Sequence, residues 1–133
     1  MEEGTLRRVV DLAGEVGRAI VATASVEGMP HVAVARKLTL GKGNTVVATE
    51  WFCPGTVANL METRLVSIVV WDDGKDVGYQ ILGSLERMED VAMLDGYRGS
   101  GGEPPVPQVQ RALRVKVEKV LRFTEAPHSD REE

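Results

Sequence analysis

The sequence predicts a mainly β protein, in which six antiparallel strands form a closed or partly closed barrel with two or three short helices. Short apolar segments alternate with turns that contain Gly, Pro, Asn or Asp along most of the chain. Hydrophobic residues make up 43% of the sequence and aromatic residues only 5%, so an aliphatic, strand-rich core is expected. With 133 residues, the chain is expected to form one domain, residues 1–133.

The composition excludes several classes of function. The formal net charge is -4 and basic residues occur in pairs and not in runs, which argues against a nucleic-acid partner. The single cysteine, Cys53, cannot form an intrachain disulfide, and two histidines with one cysteine match no zinc-site spacing, so no metal site is predicted. No apolar run approaches the roughly 20 residues that cross a bilayer. We expect a cytoplasmic protein with no membrane partner.

The first half of the chain is predicted to contain one helix and three strands. Apolar residues at three- and four-residue spacings indicate a helix from Thr5 to Val16, within an N-terminal segment 1–17, with Thr5 as its N-cap and with Gly14 and Gly17 marking its end. The first strand is expected to have an apolar face formed by Ile20, Ala22, Ala24 and Val26. The predicted strands of this half are Arg18–Val26, His31–Leu40 and Thr45–Thr49.

The second half is predicted to contain two more helices and three more strands. The SIVV core of its first strand has no polar alternation, as expected where both faces are covered. In the last strand the alternation slips at Lys119, which predicts a bulge or a strong bend, and the polar tail 124–133 is expected to fray. The predicted elements are a helix over about Thr56–Thr63, strands Leu65–Trp71 and Val77–Met88, a short helix Glu89–Tyr97, a loop Gly99–Pro107 and a strand Arg111–Phe123.

A candidate anion site lies where the central helix begins. Thr56 follows Cys53-Pro54-Gly55 and can serve as N-cap, so that its hydroxyl and the N–H groups of Val57 and Ala58 face an anion. An ordinary capped helix between two strands explains the same residues.

A second candidate feature is the basic pair Arg36-Lys37 in the second strand. Adjacent strand residues face opposite sides, so one of the two is directed toward the barrel interior or a cleft, where a phosphate would neutralise it. Solvated basic residues on an edge strand are the alternative interpretation. His31 is expected on the surface, and Trp51 and Trp71 in the core or an interface. No catalytic side chain is assigned, because no triad or carboxylate pair is visible, and a reactive group would come from a cofactor.

Several segments together resemble the FMN-binding split-barrel family, which includes pyridoxamine 5'-phosphate oxidase and small FMN-binding proteins. The resemblance covers about Arg18 to Phe123. It rests on AIVATASVEGMPHVAVARK, TVVATE, TVANL, RLVSIVVW and VGYQILGSLE, in this order. It implies a split-barrel flavin-binding domain that forms a homodimer and holds FMN in the cleft between protomers.

The resemblance also implies which residues bind the cofactor. The second strand would flank the flavin and its phosphate, the end of the third would line the ring, and the start of the central helix would hold the phosphate. The family's glutamine on the fifth strand falls nearer Gly78, and Gln80, two residues further on the same face, would take its place. Because Gly55-Thr56 stands where the oxidases carry a basic pair, Arg36 or Lys37 would neutralise most of the phosphate charge. The implied set is Val34, Ala35, Arg36, Lys37, Thr49, Glu50, Gly55, Thr56, Asn59 and Gln80.

The resemblance therefore predicts an FMN-dependent oxidoreductase with a small-molecule electron donor or acceptor. Oxidation of pyridoxamine phosphate is not expected, because the chain ends in RFTEAPHSDREE and lacks the Arg-Leu-x-Pro type motif of those oxidases. Two alternatives stay open: a non-catalytic dimer that binds flavin or another nucleotide, and a relative that binds a deazaflavin or haem.

Overall fold

A computed structural model describes residues 4–51, 53–97 and 106–133, without the side chains of residues 50, 91–97 and 106–110. The described residues form two helices and eight strands, so the mainly β prediction is confirmed and the predicted number of six strands is wrong. In chain order the elements are α1 (Thr5–Val16), β1 (Ala19–Ala24), β2 (Pro30–Ala35), β3 (Lys37–Leu40), β4 (Thr45–Trp51), α2 (Pro54–Thr63), β5 (Leu65–Asp72), β6 (Val77–Tyr97), β7 (Val106–Thr124) and β8 (Ser129–Glu132).

The strands form one antiparallel sheet in the order β2-β1-β5-β6-β7-β4-β3, and β8 pairs with β7. Its two edge strands, β2 and β3, are consecutive in the chain and only Arg36 separates them. Two residue steps span at most about 7 Å, so the two edges of the sheet must approach each other. The sheet therefore curls into a barrel with a seam at Arg36. The single strand predicted over His31–Leu40 is divided there.

Helix α1 has the predicted bounds, but its N-cap is Gly4 and not Thr5. Gly4 has φ 87, a left-handed conformation that glycine adopts without steric cost, whereas Thr5 is the first helical residue and is fully buried. At the other end the N–H of Gly17 donates to the oxygen of Ala13 at 2.8 Å, which closes the helix as predicted.

The core lies on the face of β1 opposite to the predicted one. Ala19 and Val21 are buried with residues of α1 and α2, while Ile20 is 40% exposed. Both faces of this strand carry apolar residues, so alternation alone could not determine which face points inward.

Strand β6 runs to Tyr97, and the helix predicted over Glu89–Tyr97 is wrong. In this part of the sheet Ala92 is paired with Gln110 and Met93 with Val109. The apolar spacing over these residues fits a helix turn, but pairing with β7 supplies hydrogen bonds to the same backbone groups. Within the predicted loop Gly99–Pro107, residues 99–105 lie outside the described ranges and Val106 already belongs to β7.

The predicted bulge is confirmed. Leu82 is paired with Lys119 and Gly83 with Val117, so Glu118 is the extra residue of β7. A Cβ on Gly83 would press against the backbone oxygen of Lys116, which explains a glycine opposite the bulge.

The prediction that the tail 124–133 frays is wrong, because residues 129–132 form β8. Its partners in β7 are residues 121–124. The carboxylate of Asp76 accepts hydrogen bonds from the backbone N–H groups of Glu125 (2.8 Å) and Ala126 (3.0 Å), and so holds the chain between the two strands.

Candidate functional site

One face of the sheet carries exposed aliphatic side chains across four strands. Val34, Ile20, Val69 and Gln80 lie side by side on β2, β1, β5 and β6. The neighbouring row is Val32, Ala22, Ser67 and Leu82. We call these two rows, together with Leu65, the open face.

The open face is more apolar than the rest of a typical protein surface. Val32 is 63% exposed, Leu65 62% and Val34 56%. Contiguous exposed aliphatic residues of this kind mark a surface that contacts a partner or a ligand. The expectation that both faces of β5 are covered is not met within this chain, because Leu65 is exposed and Ser67 and Val69 are only half-buried.

Two residues of the implied cofactor set, Val34 and Gln80, lie on the open face. Val34 and Gln80 share one row and are three strand spacings apart, about 14 Å. The amide nitrogen of Gln80 donates to Oγ of Ser67 at 2.8 Å, which fixes the side chain on this face. Ala35, also in the set, is fully buried on the opposite face of β2, so only its backbone is available to a ligand.

The start of α2 differs from the prediction. Cys53 is the N-cap and Pro54 the first helical residue, so Thr56 is the third helical residue and not the cap. Proline suits the first position because its fixed φ is helical and it has no N–H to satisfy. The N–H of Val57, predicted to face an anion, instead donates to the oxygen of Cys53 at 3.0 Å. Gly55 and Thr56 come before Val57 in the first turn, and their N–H groups are the backbone donors at the start of α2.

His31 covers this helix start and is not the plain surface residue that was predicted. Its Nδ1 lies 3.2 Å from Oγ1 of the fully buried Thr56. A Cβ on Gly55 would lie 2.9 Å from Nε2 of the same ring. The strand alternation of β2 could have revealed this, because His31 shares its face with the buried Ala33 and Ala35.

Asn59 extends the same polar cluster. Its Nδ2 donates to Oγ1 of Thr23 at 3.1 Å, and Thr23 is the cross-strand neighbour of His31. We call Thr23, His31, Gly55, Thr56 and Asn59 the α2 corner. The structure thus brings three members of the implied set together and adds His31 and Thr23 to them.

Arg36 and Lys37 lie elsewhere. Both are exposed where the edge strands β2 and β3 meet, so neither points into the barrel interior; the predicted alternatives that remain are a cleft and plain solvation. They line a groove of 650 Å³ beside α1, opposite Asp11 and Glu15. No residue of α2 is among those described residues that line it.

Lys37 and Thr49 are cross-strand neighbours on β3 and β4. Just after Thr49, the pairing of β4 with β7 shifts register between Ala48 and Trp51. Such bulges redirect side chains and occur often beside functional sites. Glu50 lies in this bulge, and its side chain is outside the described residues. Trp51 is a core residue, with its indole N–H donating to the oxygen of Ala48 at 3.1 Å.

In residues 4–51, 53–97 and 106–133, no three His, Cys, Asp or Glu side chains are arranged to hold a metal ion. Neither helix in this part of the chain has the length and hydropathy that crossing a membrane requires.

Comparison with known proteins finds likeness in structure. No family model and no curated protein sequence matches the chain. A Clostridium acetobutylicum protein related to general stress protein 26 of B. subtilis (pyridoxinephosphate oxidase family) is 17% identical, with a TM-score of 0.65 over 99% of this chain and 96% of that one. An FMN-binding protein from Syntrophomonas wolfei is 19% identical, with a TM-score of 0.62 over 90% and 86%. An F420 reductase is 18% identical, with a TM-score of 0.61 over 90% and 98%.

These likenesses define the class of fold. The chain has the split-barrel fold of the pyridoxamine 5'-phosphate oxidase-like FMN-binding proteins, as its sequence resemblance predicted.

Proposed function

We propose that this protein is an FMN-binding flavoprotein that works as a homodimer, with the open face covered by a second copy and the cofactor between the two. The open face carries this proposal. Val32, Val34 and Leu65 are each more than half exposed, and covering a valine or leucine side chain fully contributes about 1.5–3 kcal/mol. A two-fold axis presents the same apolar patch from both partners. A second copy over the open face would bury the outer face of β5, which would explain why this strand lacks polar alternation.

The α2 corner suits the phosphate end of the cofactor. The N–H groups of Gly55 and Thr56 sit at the positive end of the α2 dipole, and the imidazole of His31 lies beside them. This donor set fits a phosphate ester without the basic pair that the oxidases carry. The ring of His31 occupies the space beside Gly55 where a side chain would begin. The hydrogen bond from Asn59 to Thr23 joins α2 to β1 next to it.

The rest of the implied set would hold the flavin ring and attract the anion. Val34, the backbone of Ala35 and Gln80 would border the ring, with Thr49 and Glu50 at the bulge of β4. Arg36 and Lys37, at the seam, would raise the local positive potential. A bound flavin supplies hydride or electron transfer to a small-molecule donor or acceptor, and these residues bind it and exclude water.

The test compares FMN with riboflavin, which lacks the phosphate. In a fluorescence titration, wild type should bind FMN more tightly than riboflavin. His31→Ala should weaken FMN binding by roughly tenfold, the value of one charge-assisted hydrogen bond, and leave riboflavin unchanged. Arg36→Glu should weaken FMN binding as well, because it places a negative charge near a dianion. Absence of flavin binding by wild type would overturn the proposal. Bleaching of the bound flavin by NAD(P)H under argon would then separate an oxidoreductase from a carrier.

A second candidate is a reductase that uses a deazaflavin. The likeness to an F420 reductase favours it. Uptake of F420 by a protein that takes up neither FMN nor riboflavin would select this candidate.

A further inference from the structure

A cavity of 510 Å³ lies at the end of the open face that is formed by the C-terminal strands. Gln80, Phe123, His128, Ser129 and Asp130 are among its lining residues, and no residue of the α2 corner is. Ligand pockets of small molecules have volumes of roughly 300–1,000 Å³, with an apolar wall and a few polar groups. We call this the tail cavity.

The pairing of β7 with β8 builds the tail cavity. Phe123 is paired with Asp130 on one side and with Gly78 on the other, so these three residues share one face of the sheet. A Cβ on Gly78 would lie 2.6 Å from the ring of Phe123, so the glycine lets this ring lie close over β6. The hydrogen bonds from Glu125 and Ala126 to Asp76 hold the turn that carries His128.

The tail cavity is lined by the oxygen acceptors of Gln80 and Asp130 and by the ring of Phe123, together with groups that can both donate and accept, on Thr124, His128 and Ser129. One of the two amide N–H groups of Gln80 donates to Ser67, and its Oε1 is an acceptor. The exposed carboxylate of Asp130 makes no hydrogen bond or ion pair with any other described residue, although its backbone belongs to the β7–β8 ladder. No lysine or arginine is among the lining residues. Carboxylate, amide oxygen and the face of a phenyl ring complement an ammonium group, which has donors and no acceptor.

We infer that the tail cavity binds a small organic amine in its ammonium form, with the charged nitrogen near Asp130 and the apolar part on Phe123 and Val69. This inference goes beyond the proposed function, since binding of the amine needs no flavin. Gln80 belongs to both the open face and the tail cavity, so an amine bound there would lie beside a cofactor on the open face.

The experiment uses benzylamine as the probe, with benzyl alcohol as a neutral molecule of the same shape. Both are titrated into ¹⁵N-labelled full-length protein without flavin and followed by NMR. Benzylamine should shift the backbone amides of Gln80, Ser129 and Asp130 in a saturable manner, with a dissociation constant on the order of 1 mM, as expected for a ligand of this size. Benzyl alcohol should bind roughly tenfold more weakly.

Substitutions test whether benzylamine binds in the tail cavity. Asp130→Asn should reduce benzylamine affinity to that of benzyl alcohol, and Phe123→Leu should reduce it several-fold while the cavity stays apolar. Asp11→Asn, which removes a carboxylate from the groove beside α1, is the matched control and should leave it unchanged. Equal binding of the two probes, shifts confined to other residues, or full affinity in Asp130→Asn would each overturn the inference.

The same samples are titrated with FMN, so that the two proposals are tested separately. Benzylamine binding without flavin binding would support the tail cavity and reject the flavoprotein. Flavin binding without benzylamine binding would support the flavoprotein and reject the tail cavity as an amine site.

Discussion

Nδ1 of His31 and Oγ1 of Thr56 lie 3.2 Å apart and join the edge strand β2 to the first turn of α2. The contact depends on Gly55, because the ring occupies the space where any other side chain at that position would begin. His31, from the β1–β2 hairpin, thereby places a polar ring where α2 has only the hydrogen of Gly55.

Gly55→Ala is expected to displace the ring of His31. The new Cβ would lie 2.9 Å from Nε2, so the hydrogen bond to Thr56 should be lost at a cost of about 1 kcal/mol in unfolding free energy. Gly14→Ala in α1 is the control: its Cβ would meet nothing within 4 Å, so the better helix propensity of alanine should stabilise the protein by up to about 1 kcal/mol. Urea unfolding and the imidazole NMR signals of His31 measure both effects. Equal stabilisation by the two substitutions would contradict this.

Val32→Asp is expected to separate the proposed dimer. Val32 is 63% exposed, so the change should alter the unfolding free energy of the monomer by no more than about 0.5 kcal/mol. A carboxylate in the centre of an apolar interface, however, should prevent association. Analytical ultracentrifugation measures the mass, with Thr39→Asp on the exposed side of β3 as the control. A Val32→Asp protein that stays dimeric would reject the open face as the interface.

Leu60→Ala should destabilise the protein by about 2–5 kcal/mol, since Leu60 is fully buried in the core under α2. Met61→Ala, one residue further along the same helix, should change stability by less than about 0.5 kcal/mol, because Met61 is 66% exposed. Chemical denaturation provides both values. Similar losses in the two variants would show that α2 is packed differently.

Asp76 should stabilise the fold in a pH-dependent manner. Hydrogen bonds from the backbone N–H groups of Glu125 and Ala126 lower the pKa of its carboxyl group below the ordinary value. Because the folded-state pKa is lowered, the contribution is present above the unfolded-state pKa, about 3.9, and is lost as the pH falls through the folded-state pKa. Asp76→Asn should therefore be less stable than wild type at pH 7, and the difference should shrink in more acidic urea titrations. Asn tolerates the φ of 50 at this position. Exposed Asp73→Asn is the control, and a constant difference across pH would contradict the assignment.

The sequence predicted those elements whose signals are local. Helix α1 follows from its apolar spacing and from Gly17, and β5 from a short apolar run between turn residues. The bulge of β7 follows from the phase slip at Lys119, because a shift in alternation can only be accommodated by an extra residue in one strand.

The failures concern features that long-range pairing decides. Residues 89–97 have helical spacing but find hydrogen-bond partners in β7, a strand that comes later in the chain. The strand predicted at 31–40 divides at Arg36 because its two parts pair with different neighbours, β1 and β4. The position of His31 over Gly55 depends on how α2 lies across β2. Of the residues that form the α2 corner, the sequence resemblance implied Gly55, Thr56 and Asn59 but not their contacts with His31 and Thr23.

Strand β7 has β6 along one side, and on its other side first β4 and then β8. A ribosome releases the chain from its N-terminus, so β4 emerges long before the strand that covers its second edge. Until β7 follows, the nascent chain exposes a valine-rich strand edge that can pair with other chains. The barrel therefore closes near the end of synthesis. A chaperone bound to β4 would prevent pairing with other chains until β7 has been synthesised.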